Sequence, residues 1–251
     1  MKLLHFSDLH IHRSAEKNQL VTALFDRVGT MFPDHYIVVT GDITDDGHEK
    51  QYEQAQRMLL PFKGRVFLCP GNHDFGATGN FFSRERAVRF DDYLAGPLEQ
   101  GGRFYGSQEP VVNVIEDGVT KCMLIALDTN LETTHPFDFA CGEVGERQLS
   151  ALQSIMASPG ANEMVKVLFF HHHLFMQNDP FMELKDAREL SQCIYNSVDV
   201  VLFGHKHESR QWVNMLGTSY VLAADNSPGK AFAREIEIQG RNITVRDVSI
   251  S

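Results

Sequence analysis

Five short apolar runs in this chain each end in a turn that carries Asp, Asn or His, and this pattern restricts the fold more than any other feature. The runs are Lys2–Phe6 before Asp8-Leu9-His10, Tyr36–Thr40 before Gly41-Asp42, and Val66–Cys69 before Gly71-Asn72-His73-Asp74. Val165–Phe170 precedes His171-His172-His173, and Val198–Phe203 precedes Gly204-His205-Lys206-His207. Each run is β-branched or aromatic and bounded by Gly, Pro or a polar turn, which is how a buried strand reads. Ligands of open α/β sheets bind beyond the carboxyl ends of the strands. If these ends lie side by side, their side chains build one polynuclear metal site.

The spacing between the runs predicts an α/β architecture. Between the first two, Glu16–Phe32 places Leu20, Leu24, Val28 and Phe32 at helical spacing, and His48–Leu60 follows the second run. This βαβαβ order predicts largely parallel pairing with helices outside. A helix is expected near Phe82–Leu94, then a Gly/Pro-rich stretch from Gly96 to Gly106. Strands Val111–Glu116 and Lys121–Leu127 flank Asp117-Gly118, a strong hairpin signal. Helices Glu146–Ala157 and Asp186–Asn196 precede the last two runs, and Ser209–Ile250 reads as short antiparallel strands. With 251 residues and no linker, one domain spanning 1–251 is expected.

Composition narrows the partners. A formal charge of −10 leaves no general basic surface, which argues against an extended nucleic-acid interface. No run approaches the ~20 apolar residues of a membrane span, and there is no basic amphipathic helix for a membrane surface. The chain enters strand-like Lys2–Phe6 at once, without a signal-peptide layout, so a cytoplasmic location is expected. Cys69, Cys122, Cys141 and Cys193 have no metal-knuckle spacing and read as free thiols, which suits that compartment. A homo-oligomer is compatible with all of this.

Taken singly, each polar turn has a plain structural reading. Asp8 and His10 lie two apart, so on extended chain both side chains reach one ion, but a turn Asp beside a surface His has the same sequence. Asp42 has two oxygens with which to bridge two cations, or it caps a helix; Asp45 and Asp46, nearer that helix, are the better caps. Gly-Asn-His-Asp satisfies an Asx-turn as well as a phosphate or metal contact. Of three consecutive histidines, at most two face one ion, and burying imidazoles without partners is costly. His205 and His207 repeat the two-apart logic. His12 follows the first pair closely enough to touch substrate. His5 reads as a core or interface residue, and His35, His48 and His135 as surface residues. Asp128 ends another strand and suggests a structural role. Phe137, Phe139, Phe175 and Phe181 lie in loops near the expected mouth, where they stack on a base or simply pack.

In combination the motifs are specific. D-x-H, G-D, G-N-H-D, a His cluster and G-H-x-H, in this order and each after a strand, resemble the calcineurin-like metallophosphoesterase superfamily over Ser7 to His207. The resemblance is greatest to the branch holding class III cyclic-nucleotide phosphodiesterases and glycerophosphodiesterases. It implies a two-sheet sandwich flanked by helices. It implies two divalent or mixed-valence metals, Mn, Fe or Zn, and attack on a small phosphodiester by a water or hydroxide between them. Asp8, His10 and His207 would hold the first metal, Asp42 would bridge, and Asn72, His205 and His171 would hold the second. His173-Leu174 replaces the branch's usual pair of prolines, which leaves His172 as an alternative ligand or a substrate contact beside His12. His73 would be the catalytic acid, with Asp74 orienting its ring. A repair-type nuclease of the same superfamily is disfavoured by the acidic charge and by the lack of a C-terminal DNA-binding extension. A non-catalytic scaffold is disfavoured because every family position is filled.

Overall fold

The computed structural model describes residues 1–132, 140–176 and 179–250. The run Lys2–Phe6 forms strand β1, with Leu3, Leu4 and Phe6 all fully buried, because it lies inside a sheet covered on both faces. Parallel to it run β2 (Tyr36–Thr40) and then β3 (Val66–Cys69). A short hairpin, β4 (Gly76–Ala77) and β5 (Phe81–Phe82), follows. The second sheet holds β6 (Val111–Asp117), β7 (Thr120–Ala126), β8 (Val165–Phe169), β9 (Val200–Phe203), β10 (Arg210–Met215) and β11 (Thr218–Ala223). The chain then returns to the first sheet as β12 (Phe232–Gln239) and β13 (Asn242–Ser249). The sheet orders are β13-β12-β1-β2-β3 and β10-β11-β9-β8-β7-β6, both mixed.

Period-two burial assigns the layers. Val167, Phe169, Val200 and Leu202 face the first sheet and share one core with Leu4, Val39 and Leu68. Their neighbours Leu168, Val201 and Phe203 face the opposite way and pack with Leu152 and Leu190. Those two leucines belong to the outer helices Glu146–Met156 and Ala187–Ile194. On the far side, helices Gln19–Met31 and Glu49–Leu59 cover the first sheet with Leu24, Val28, Tyr52 and Leu59. The result is the helix–sheet–sheet–helix sandwich expected above.

Several local expectations are corrected. The first helix opens as a 3₁₀ turn at Ala15–Asn18, and its buried stripe is Val21, Leu24, Phe25 and Val28, leaving Leu20 65% exposed. The expected Phe82–Leu94 helix is Arg84–Phe90 followed by a π turn at Asp91–Ala95. Neither Asp45 nor Asp46 caps the second helix. His48 does: its Nδ1 accepts from Lys50 N, and Gln51 Oε1 accepts from His48 N. His35 is half-buried against Glu235 at 3.7 Å, so it is not a free surface residue. The tail is not wholly antiparallel, since β11 runs parallel to β9. The Asp117-Gly118 hairpin forms as expected, with Gly118 at φ 60°. Cys69, Cys122 and Cys193 are free thiols. No helix among the described residues is long and apolar enough to cross a membrane.

Strand β3 is an edge, and its unpaired backbone is satisfied by one side chain. Buried Gln100 accepts from Leu68 N at 2.7 Å and donates to Val66 O at 2.8 Å. Gln100→Leu leaves both groups buried without partners, each at a cost of about 1–3 kcal/mol. The urea midpoint is expected to fall with an unchanged slope; an unaltered midpoint would show that the edge does not depend on this residue.

Candidate metal centre

Parallel pairing brings the carboxyl ends of β1, β2 and β3 to one rim, and those of β8 and β9 to the facing one. Backbone bonds then lock the turns together. Asp8 N donates to Gly41 O, His10 N to Asp42 O, and Gly204 N to His171 O, at 3.1, 2.9 and 3.0 Å. The turns are not extended. Asp8, His10, Asp42, His205 and His207 all adopt left-handed backbone, with φ between 45° and 74°. Non-glycine residues rarely do so, and such positions concentrate at functional sites. The two-apart pairs therefore do converge, but through left-handed turns and not through the expected strand alternation.

One group of donor atoms centres on His171 Nε2. It lies 3.0 Å from Asn72 Oδ1, 3.1 Å from His205 Nδ1 and 3.3 Å from Asp42 Oδ2. Ligands about 2.0–2.1 Å from one ion stand roughly 3.0–3.4 Å apart, so these spacings fit a metal. Three of the four donors are each aimed by a backbone carbonyl. His171 Nδ1 donates to Thr40 O at 2.8 Å and His205 Nε2 to Met182 O at 3.1 Å. Asn72 Nδ2 donates to Gly79 O at 2.9 Å, turning its oxygen to the cluster. The other ring nitrogen of each histidine is thereby left with a lone pair.

A second group holds Asp8, His10 and His207. His207 Nε2 is 3.1 Å from Asp8 Oδ1 and 3.3 Å from His10 Nε2. Asp42 belongs with both groups, since its oxygens come close to His10 and His73 on one side and to Asp8 and His171 on the other. Asp8 and Asp42 are 0% and 2% exposed, and among the described residues their ion-pair partners are histidines. Burial opposes the ionisation of both. The charge and bond of His171 still hold Asp42 well below the usual carboxylate range, and the His207 bond together with the His171 charge lowers Asp8. Burial likewise disfavours charge on His171, but the Asp42 and Asp8 carboxylates outweigh it and raise its imidazole to about 9. The cluster thus calls for positive charge, and its mixed O/N donors fit transition-metal ions of the Mn, Fe or Zn type.

His73 and Asn72 sit on a single helical turn, Asn72–Phe75, so their side chains diverge. The His73 ring donates from Nδ1 to Asp45 O at 2.7 Å, while its backbone N–H donates to Asp42 Oδ1 at 3.0 Å. Gly79, at φ 74°, abuts this ring: a Cβ there would stand 2.6 Å from His73 Nε2. Asp74 does not orient His73, which corrects the role expected for it. Its carboxylate accepts from Ile43 N, Thr44 N, Thr44 Oγ1 and Gly71 N, at 3.1, 2.8, 2.9 and 2.9 Å, and so ties the second turn to the third. Burial and the Asp42 charge push Asp74 up to about 6 while these backbone N–H groups pull it down.

His172 is 0% exposed, with Nδ1 2.8 Å from Thr129 Oγ1 and its ring 4.6 Å from that of His205. It backs the cluster and offers substrate no exposed face, contrary to one of the readings above. His12 lies at the rim with Nδ1 3.1 Å from Asp45 Oδ2. Asp45 is the residue the sequence reading missed, and its place three residues after Asp42 was the available signal. Phe175 packs on Trp212 with ring centroids 4.8 Å apart, and Phe181 is 51% exposed. Phe137, Phe139 and His135 lie outside the described residues. Asp128 is bonded by Asn130 through its backbone and side chain, a structural arrangement in which burial raises its carboxyl to about 7.

Fold and donor set together define a metallophosphoesterase, and sequence comparison gives the family. The chain belongs to the calcineurin-like phosphoesterases, whose family profile matches residues 1–209. It is 27% identical over 217 residues to a probable cyclic nucleotide phosphodiesterase of Coxiella burnetii, covering 82% of this chain and 76% of that protein. It is 23% identical over 258 residues to a 3',5'-cyclic-nucleotide phosphodiesterase of Nostoc sp., covering 96% and 85%. In fold it resembles a dimetal phosphatase from Danio rerio, with a TM-score of 0.73 at 13% identity, covering 100% of this chain and 96% of that one.

The convergence on His171 Nε2 predicts that His171→Ala loses one of two metal equivalents, whereas His172→Ala keeps both. Elemental analysis of the purified proteins checks this, and the opposite pattern would move the ligand by one residue. Asp74→Asn sets an amide donor against backbone N–H groups, so it should cost about 1–3 kcal/mol of stability in urea unfolding. A normal midpoint with lost activity would instead assign Asp74 to the chemistry.

Proposed function

We propose that the protein is a phosphodiesterase with a two-metal centre, folded as one domain over 1–251 and acting in the cytoplasm. Its substrate on this reading is a small phosphodiester, a cyclic nucleotide or a glycerophosphodiester. The observation that carries the proposal is the convergence of Asn72, His171, His205 and Asp42 donor atoms at metal-ligand spacing, beside Asp8, His10 and His207. In this assignment Asp8, His10 and His207 would hold one ion, Asn72, His171 and His205 would hold the other, and Asp42 would serve both. Two such ions supply Lewis-acid charge, lower the pKa of water and orient an in-line displacement.

The chain's own residues supply the proton. With Nδ1–H bonded to the Asp45 carbonyl, His73 keeps one orientation and leaves Nε2 for a second proton, which passes to the leaving oxygen as its bond to phosphorus breaks. His12, beside Asp45 at the rim, would contact the substrate. The names of the relatives support a cyclic nucleotide as the first substrate to try.

A screen of the Mn-loaded protein should compare cyclic AMP, a glycerophosphodiester, a bis-aryl diester, an aryl monoester and single-stranded DNA. Turnover of small diesters above the rest is expected, and activity confined to DNA would indicate a nuclease. His73→Ala should keep both metals and lose about 10²–10⁴-fold on a ribose or alkyl diester. It should lose less on the aryl diester, whose leaving group needs no proton. Equal losses on both would make His73 a phosphate clamp.

A further inference from the structure

Beside the metal cluster lies a cavity of about 380 Å³, a volume within the usual range for ligand pockets. Phe82, Asn130 and Leu131 line it and also line a small recess that reaches Asn72 and Gly79, so the two spaces share a wall. Asn72 belongs to the donor group around His171, and Gly79 abuts the His73 ring. A substituent of a diester held at the cluster has this cavity to extend into.

The cavity is acidic. Asp128, Glu132, Glu143 and Glu146 line it, against one cation, Arg147, among the described residues. Glu132 pairs with Arg84 at 2.8 Å, while Glu143 and Glu146 have no ion-pair partner among the described residues. Asp128 is half-buried where the other three are exposed. Its Oδ1 accepts from Asn130 N and Nδ2 at 2.9 and 2.7 Å, which takes up that oxygen. Its Oδ2 has no partner among the described residues, yet it is not sealed from solvent as Asn130 Oδ1 and His172 Nε2 are. An open, unbonded oxygen on a carboxyl that burial raises to about 7 marks the floor of the void its residue lines.

The cavity is also aromatic. Phe82 and Tyr105 both line it, with ring centroids 6.5 Å apart. The negative faces of such rings attract a desolvated cation, and quaternary ammonium groups are their usual guest. An anion is repelled by the carboxylates, and a hard divalent ion requires about six oxygens where this wall offers rings. We propose that this cavity binds an organic ammonium group, and that the group is the cationic substituent of the diester cleaved at the cluster. The second half rests on the function proposed above; the first does not. Asp128 would neutralise the ammonium charge, and Phe82 and Tyr105 would pack against its methyl or methylene groups.

Calorimetric titration of the full chain, with no substrate present, tests the site. Choline should bind at least about tenfold tighter than dimethylbutanol of the same branching, its uncharged carbon analogue. Asp128→Asn keeps an oxygen for Asn130 and replaces Oδ2 with an uncharged amide, so choline affinity should fall at least about tenfold. Tyr105→Leu removes one ring at similar bulk and should weaken choline at least about threefold, even if the first variant misfolds. Choline binding no tighter than the alcohol, or an affinity unchanged in a folded variant, overturns the site. The Mn-loaded protein is then given glycerophosphocholine and the diester in which the uncharged alcohol replaces choline. A KM at least about tenfold lower for the first, with the difference lost in Asp128→Asn, supports the placement of the substrate's cation in the cavity. Equal KM values in the unaltered protein overturn that placement. Choline binding without turnover of either diester keeps the ammonium site and removes the diesterase reading, and with it the second half of the proposal.

Discussion

Two carboxylates, Asp8 and Asp42, are sunk beneath the ends of parallel strands with no Lys or Arg paired to them among the described residues, and most of the site follows from that placement. A buried anion is tolerated only when positive charge and hydrogen bonds surround it. Here the surrounding groups are imidazoles, which serve as proton-bearing counter-ions or as lone-pair donors to a cation. The elevated His171 and the depressed Asp42 are two views of one fact: the cluster lacks positive charge of its own. A surface constellation of the same residues would be solvated and indifferent. Burial makes this one selective for cations.

Holding such groups together requires backbone that a relaxed chain avoids. Five of the cluster's residues have positive φ without being glycine. The strain is borne by the parallel sheet beneath, since each turn is bonded to its neighbour through Asp8 N, His10 N and Gly204 N. Asp74 completes the lock by bonding three backbone N–H groups from two turns. Glycine appears where approach is closest. At Gly41, with φ 81°, a Cβ would stand 2.5 Å from His171 Nδ1. Asp74, the carboxylate next to His73, thus acts on the turns beneath the cluster rather than on the histidine itself.

Much of this was legible in the sequence because strand patterning is local. The five runs and their alternation with helices sufficed for parallel pairing with helices outside, while the two-sheet sandwich and the converging group follow from the family resemblance that the ordered polar turns carry. What failed was contact information carried by the third dimension. Asp45 precedes a helix and reads as a cap or a solvated turn residue, yet the helix takes His48, and Asp45 lends its carbonyl to His73. Met182 and Asn226 carry no sequence signal at all; they reach His205 and Asp8 from 23 and 218 residues away. Leu20 was assigned to the buried stripe because the 3₁₀ entry of its helix shifts the phase of the face. That His171 and not His172 stands among Asn72, His205 and Asp42 depends on how the strand end turns, and no spacing rule contains that.

The orienting partners share a property that bears on the proposed chemistry. His171, His205, His73 and Asn72 are aimed by the carbonyls of Thr40, Met182, Asp45 and Gly79, not by carboxylates. Many metal-binding histidines have a carboxylate behind them, which raises ligand basicity but adds negative charge. A carbonyl fixes the tautomer without adding charge. On the proposed reading, two buried carboxylates set against two divalent ions would leave the centre a net positive charge that attracts an anionic substrate. Carboxylates behind each of those rings would bring the centre towards neutrality and remove that attraction. The acidity of the chain as a whole, at −10, makes this local economy of negative charge more consequential: beyond a Debye length the surface field is screened, and it is the cluster that receives the anion.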